Sequence, residues 1–230
     1  MVDFHAHILP GADHGSDGLE TSLAQLRLAE QAGIETLIAT PHFYPQSEEL
    51  GTFLERRRTC WELLCENYHG PIRIKLGAEV HMCPGLDHLD GLEQLCIQGT
   101  DILLLELGFV GWSHDVTETV LRLHDQGRFC PILAHIDRYN AERIDELLSC
   151  GVLAQVNADA FSRMFGKKRF VSWIDSGAVV ALGSDIHGTA KGYRSFKKAE
   201  SCLKERFGFL MERTDFFLSE RAIPQSMRTE

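Results

Sequence analysis

Val179-Val180-Ala181-Leu182-Gly183-Ser184-Asp185-Ile186-His187 is an apolar run that stops at two side chains of metal-ligating type, Asp185 and His187. The N-terminus repeats the pattern, with residues 1–4 leading into His5-Ala6-His7. Between these two lie five further runs. Residues 34–39 lead into Thr40-Pro41-His42; residues 72–78 end at Glu79, 102–105 at Glu106 and 132–134 at His135. Residues 153–156 end in a weaker ligand, Asn157. Short apolar runs bounded by turn residues read as buried parallel strands. Ligand-type side chains at the carboxyl ends of successive parallel strands are how a (β/α) barrel builds its site.

Helical periods alternate with these strands. Leu19, Leu23, Leu26 and Ala29 make one stripe, stopped by Gly33. Leu54, Trp61, Leu63 and Leu64 mark a second helix, residues 86–95 a shorter third, and Val116, Val120, Leu121 and Leu123 a fourth closed by Gly127. Ile144, Leu147 and Leu148 precede Gly151; Phe170, Val171, Trp173 and Ile174 precede Gly177. Phe196, Ala199, Leu203 and Phe207 form a seventh helix, and 210–218 a further one before a polar tail, 225–230, expected to fray. Unbroken alternation means α/β architecture with a parallel sheet and right-handed crossovers. Seven units, one short of eight, predict a distorted (β/α)7 barrel, with a doubly wound sheet as the alternative. One domain over residues 1–230, with a short polar tail from about 220, is the expected organisation.

The net charge of −10 argues against nucleic acid, whose binding needs a basic face. Basic residues between 163 and 169 read as a solvated loop. Neither a spanning apolar stretch nor a signal peptide is visible, so a cytoplasmic chain without membrane insertion is expected. Seven cysteines are scattered without C-x-x-C spacing. None has an arginine six residues on; the positions are Glu66, Pro71, Leu89, Ile102, Ile136, Val156 and Gly208, which argues against a thiol-based phosphatase.

His5 and His7 are two apart, so on an extended strand they share a face and can approach one metal, and Ile8-Leu9-Pro10-Gly11 permits a turn directly after them. Glu79 and Glu106 end very apolar strands, where an unpartnered carboxylate is costly and a cation or a buried arginine would offset the cost. His135 is a ligand or a neutral core histidine. His42 follows a proline in a loop, and Asp13-His14 lies in a Gly-rich one, where Asp13 also suits a turn. His69, His81, His88, His114 and His124 read as surface residues. Arg138 and Arg194, in loops on the site's face, suit phosphate oxygens.

Asp3-Phe4-His5-Ala6-His7-Ile8-Leu9-Pro10-Gly11, Ile38-Ala39-Thr40-Pro41-His42, Gly77-Ala78-Glu79, Leu105-Glu106-Leu107, Ala134-His135-Ile136-Asp137-Arg138-Tyr139, Ala154-Gln155-Val156-Asn157-Ala158 and Ser184-Asp185-Ile186-His187 occur in that order. Together they resemble the polymerase and histidinol phosphatase (PHP) family, more closely its bacterial metal-dependent tyrosine-phosphatase branch of capsular and exopolysaccharide systems. The resemblance implies a distorted seven-stranded barrel and three divalent metal ions (Mn, Fe or Zn, with Mn favoured for activity). It implies His5, His7, Glu79 and Asp185 on the first metal; Glu79, Glu106 and His135 on the second; His42, His187 and His14 on the third, with Asp13 as the alternative to His14. Arg138 and Arg194 would grip phosphate, with His42 and His187 near the leaving group.

The implied activity is phosphoric monoester hydrolysis by a protein-tyrosine phosphatase. Its implied partner is a phosphotyrosine protein, namely the tyrosine-rich tail of a polysaccharide-system kinase. The chain departs from the branch at His14, where aspartate is usual, and at Ile136-Asp137, where Pro-Glu is commoner. Competing readings are a small-molecule phosphatase of histidinol-phosphatase type, a metal amidohydrolase, and a non-enzymatic metal-binding regulator. An amidohydrolase commonly carries a bridging lysine where this chain has Glu106. Substrate choice rests on loops 44–52, 108–115 and 159–169, where Phe43, Tyr44, Phe109 and Trp112 are candidates to pack on a phosphotyrosine ring.

Overall fold

The computed structural model describes residues 1–109, 111–190 and 192–223; the polar tail 225–230 lies outside them. All seven expected strands form, but two are broken. The second is β2 (Thr36–Ala39) and β3 (His42–Phe43), interrupted at Thr40-Pro41. The third is β4 (Arg73–Leu76) and β5 (Glu79–His81), interrupted at Gly77-Ala78. Pro41 has no N–H to give a ladder. β1 (Val2–Ala6), β2 and β4 make one parallel sheet. β3 and β5 join β6 (Ile102–Glu106), β7 (Cys130–Leu133), β8 (Leu153–Asn157) and β9 (Val179–Gly183) in the other.

The two sheets close on each other beyond the end of β9. Asp185 N donates to His5 O at 2.8 Å, and His7 N to Ile186 O at 3.3 Å. The buried Asp3 carboxylate accepts from Ser184 N (2.8 Å), Ser184 Oγ (2.6 Å) and Tyr193 OH (2.7 Å). The result is the distorted seven-stave barrel. Val2, Phe4, Ile38, Ile102, Leu104 and Ile132 form an inner core, while Leu37, Leu103, Leu105 and Leu133 pack in the outer one with the helices. Period-2 alternation along the staves separates these layers.

The outer helices are α1 (Leu19–Ala32), α2 (Leu50–Asn67), α3 (His114–Asp125), α4 (Ala141–Ser149) and α5 (Lys167–Asp175). Two expectations fail. Residues 86–95 form two short 3-10 turns, Leu86–His88 and Leu92–Leu95, each opening after a left-handed glycine, Gly85 and Gly91. A continuous helix cannot accommodate those dihedrals. The helix expected to hold both Phe196 and Phe207 breaks at Lys204 (φ 54°) into α6 (Arg194–Leu203) and α7 (Glu205–Glu220). The break lets α7 cross the amino end of the barrel, where Thr214 Oγ1 donates to Val180 O at 2.8 Å and Leu218 joins the inner core. Among the described residues, no helix is long and apolar enough to cross a membrane.

Candidate metal centre

His5 and His7 share a face at the end of β1, and a break in register turns that face inward. β1 pairs with β2 at Asp3 and again at Ala6, with an irregularity between. Val2 and Phe4 belong to the inner core but Ala6 to the outer one. The strand's facing therefore shifts by one residue, as a bulge does. His5 and His7 end with their Nε2 atoms 3.0 Å apart. Gly183 and Gly15 permit this approach. A Cβ on Gly183 would sit 2.5 Å from His5 Cβ, and one on Gly15 2.0 Å from His7 Cβ.

Around those two rings the staves contribute the remaining groups. Glu79 Oε2 lies 3.2 Å from both His5 Nε2 and His7 Nε2, and 3.0 Å from His42 Nδ1. Glu79 Oε1 is 2.7 Å from His135 Nε2, which is 3.7 Å from Glu106 Oε1. Asp185 Oδ1 is 3.4 Å from His7 Nε2 and 3.8 Å from His5 Nε2. Three overlapping groups have ligand atoms close enough to share an ion: His5-His7-Asp185, His42-Glu79-Glu106 and His7-His42-His187. His42 thus sits closer to Glu79 and Glu106 than a grouping with His187 and position 14 alone suggests.

The donor chemistry fits divalent cations. His5 Nδ1 faces Gln155 Oε1 (3.3 Å), His7 Nδ1 faces Asp13 Oδ2 (2.7 Å) and His187 Nδ1 faces Asp185 O (3.2 Å). These partners only accept, so each Nδ1 carries the proton and each Nε2 keeps its lone pair. Lone pairs of His5 and His7 pointing at each other at 3.0 Å, beside a carboxylate, need a positive charge between them. Glu79 Oε2, fully buried, and His42 Nδ1 make no hydrogen bond at all. Ligand atoms held at ~2.0–2.2 Å by one cation lie ~3–3.5 Å apart, the spacing seen here.

In the metal-free site protons supply that charge. Burial opposes charge on His5 and His7, but Glu79 and Asp185, with Asp13 at His7, outweigh it and raise both above the ordinary imidazole value. Glu79 is held well below the carboxylate range despite burial, by His5, His135 and His7. Burial instead depresses His42 to about 3, leaving it neutral. Metal uptake must displace protons from His5 and His7. Affinity is therefore expected to rise with pH until those rings are neutral, and a titration in weak buffer to show proton release. A pH-independent affinity with no release contradicts this.

A second layer holds these side chains. Gln155 Oε1 also accepts from His135 N (2.8 Å); Gln155 Nε2 donates to Asn157 Oδ1 (2.9 Å), and Asn157 Nδ2 to Asp185 Oδ2 (3.0 Å). Asn157, the weak strand end of the sequence, thus orients Asp185. His135 (φ 34°) and Asp185 (φ 49°) both occupy the left-handed region, strain that non-glycine residues carry mainly at functional sites. Gly183→Ala is expected to push His5 off its position, weakening metal affinity about 10–100-fold as the loss of an orienting contact does. Chelator competition measures it; unchanged affinity contradicts the packing argument.

At the 13/14 position the structure separates two roles. Asp13 spends both oxygens on protein, accepting from His7 Nδ1, His42 N (3.0 Å) and Gly15 N (2.8 Å). The His14 ring stacks on His42 (centroids 4.8 Å) and lies 4.7 Å from His187. His14→Ala is therefore expected to lose about one metal per chain. Asp13→Ala is expected to weaken affinity about 10–100-fold through His7, more than a turn residue would. Metal analysis of both variants distinguishes them, and equal metal content in His14→Ala and wild type contradicts the assignment.

Arg138 bonds Asp185 Oδ2 and, with His14, Asp185 and His187, lines two cavities of about 130 and 300 Å³. Arg194 is exposed at the first position of α6, between Gly192 and Ser195, which line the larger of these. Tyr44 and Phe109 line the smaller. Tyr44 stacks on His42 (5.3 Å) and Phe109, 58% exposed, on His135 (5.6 Å). Phe43 is buried against Phe53, and Trp112 packs under Arg143 against Tyr139. His81, expected on the surface, is half-buried with Nδ1 3.2 Å from Glu106 Oε2, because β5 places it beside β6. Asp3, Gln155 and His81 are the side chains that reading for ligands passes over; their signal is polarity inside an apolar strand.

Known proteins share this arrangement of the chain. It is 25% identical to the tyrosine-protein phosphatase CpsB of Streptococcus pneumoniae, over 90% of this chain and 91% of that protein. It is also 25% identical to the tyrosine-protein phosphatase YwqE of Bacillus subtilis, over 97% and 93%. Its fold matches a crystal structure from a study of YwqE and CpsB as metal-dependent tyrosine phosphatases (TM-score 0.80, 21% identity, 97% and 96% covered). It also matches the histidinol phosphate phosphatase of Lactococcus lactis with zinc, L-histidinol and phosphate (TM-score 0.59, 16% identity, 89% and 93% covered). Residues 1–220 match the model of the capsular polysaccharide synthesis family CpsB/CapC, and the chain belongs to that family.

Proposed function

We propose that the chain is a metal-dependent phosphomonoesterase that hydrolyses phosphotyrosine on proteins. It would hold three divalent cations on His5, His7, His14, His42, Glu79, Glu106, His135, Asp185 and His187, with manganese as the activating ion. The observation that carries the reading is Glu79 Oε2, a fully buried carboxylate oxygen within 3.2 Å of three imidazole nitrogens and hydrogen-bonded to none. The names of the curated relatives support the substrate class.

When bound, divalent cations supply charge for the non-bridging oxygens and a water of lowered pKa. The chain's own groups do the rest. Arg138, anchored on Asp185 at the cavity wall, turns its remaining N–H groups to the phosphate; Arg194 approaches from the rim. His7, His5 and His187 are oriented by Asp13, Gln155 and the Asp185 carbonyl, which hold each Nδ1 and leave each Nε2 as the ligating atom. Tyr44, its phenol pushed up to about 12 by burial and by Glu106 and Glu79, stays protonated as a neutral wall. With His187 and His42 occupied as ligands, solvent protonates the phenolate, a leaving group of pKa about 10.

Phe109 and Tyr44 give this cleft an aromatic edge. Phe109→Ala is expected to lower kcat/KM for an aryl phosphate about 2–13-fold, the value of one ring contact, and to leave an alkyl phosphate unchanged. Equal losses on both would remove the ring from substrate recognition. We take the protein partner to be the tyrosine-rich tail of a polysaccharide-system kinase, acted on in the cytoplasm, which agrees with the family and with seven unpaired cysteines.

The test is a panel of phosphotyrosine and phosphoserine peptides with thiols alkylated. Burial pushes Cys96 up to about 12 and Cys130 to about 11, and no cysteine lines either cavity at the metal centre. Phosphotyrosine turnover that survives alkylation is expected. Loss that tracks one cysteine with metals retained, or a preference for phosphoserine, contradicts the proposal.

A further inference from the structure

From Asp159 to Glu200 the chain carries eight Lys and Arg against four acidic residues, in a protein whose net charge is −10. Three of the cations, Lys167, Lys168 and Arg169, are consecutive at the start of α5. None of the three takes part in an ion pair among the described residues. The first turn of α5 contains no acidic side chain, so the helix's positive end adds to their field. Directly before them Met164 and Phe165 stand out at 84% and 82% exposure.

These residues are bolted to the catalytic side of the molecule. Arg163 Nη2 lies 2.7 Å from Asp137 Oδ2, and Nη1 donates to Asp137 O at 2.9 Å. Asp137 belongs to the single turn Ile136–Arg138 that presents Arg138 to the metal centre. A groove of about 690 Å³ starts on that turn, at Ile136 and Tyr139, and runs to Met164, Phe165 and Lys167. Asp159, which also pairs with Arg163, lines the larger cavity of the metal centre. The groove thus begins on the turn whose Arg138 would hold a phosphate.

We propose that this groove is a docking site for an acidic peptide segment flanking the scissile phosphotyrosine, with Lys167, Lys168 and Arg169 facing its Asp and Glu carboxylates and Met164 and Phe165 gripping an apolar side chain. The inference rests on the phosphotyrosine reading above and adds the charge of the substrate. Charge complementarity selects the occupant: the basic strip attracts an anionic chain, while the acidic remainder of the protein, whose net charge is −10, repels one. A steered contact of this kind acts on KM and weakens with salt.

The test compares two phosphotyrosine peptides, flanked on both sides by Glu or by Gln, with p-nitrophenyl phosphate, on the metal-loaded full chain. Wild type is expected to favour the Glu peptide by about tenfold in kcat/KM, mainly through KM, and to lose that preference at high salt. Lys167→Ala/Lys168→Ala/Arg169→Ala is expected to abolish the preference and Phe165→Ser to weaken both peptides, with p-nitrophenyl phosphate turnover unchanged in both variants. Equal kcat/KM for the two peptides, or a preference that survives the triple substitution, overturns the proposal. So does binding to phosphatidylglycerol vesicles that the triple substitution removes while peptide preference is absent, which would make the strip a membrane contact. If p-nitrophenyl phosphate is not hydrolysed either, the phosphatase reading itself has failed.

Discussion

Glu79→Gln is expected to remove metal and to abolish turnover, the largest effect of any single substitution here. Glu79 is the side chain whose two oxygens reach four histidines, and it lies in two of the closest contacts of the centre. An amide keeps the shape but loses the charge, and it presents an N–H to rings that already hold lone pairs toward it. The loss should exceed the about 10–100-fold typical of a residue that only orients a ligand. A control sits in stability. Anything that binds the folded state raises its melting temperature by mass action, so wild type should show a chelator-sensitive Tm and Glu79→Gln should not. A variant that retains metal and activity would mean that Glu79 is a buried structural carboxylate.

Arg138→Ala is expected to lower kcat by about 10²–10³, on the order of 2–4 kcal/mol, as removal of a donor aimed at developing charge does. Metal content should fall little, because Arg138 touches Asp185 on the oxygen it shares with Asn157, away from Oδ1, which faces His5 and His7. Arg138→Lys should recover part of the charge but not the two-pronged geometry. Wild-type kinetics in Arg138→Ala would make the residue a clamp on Asp185 alone.

Most of the candidate ligands were legible as polar residues at the end of an apolar strand, where a barrel has its mouth. The order of the elements was legible for the same reason: alternation of strand and helix leaves few topologies. What the sequence hides is set by contacts distant along the chain. The shift that turns both His5 and His7 inward depends on Ala6 meeting Ala39 and on Gly183 lying against His5. Gln155 and Asn157 read as a polar interruption of the sixth strand, and only proximity to His5, His135 and Asp185 gives them work. The break at Lys204 has no local breaker; it follows from α7 binding the barrel floor through Thr214 and Leu218. His81 was hidden by the interrupted third strand, since β5 exists only as a partner of β3 and β6.

The most direct measurement is phosphate release from a phosphotyrosine peptide by the metal-stripped protein, before and after manganese is returned. No turnover in the stripped protein and recovery on addition of manganese is the expected result. Full turnover in protein shown to be free of metal would contradict the account.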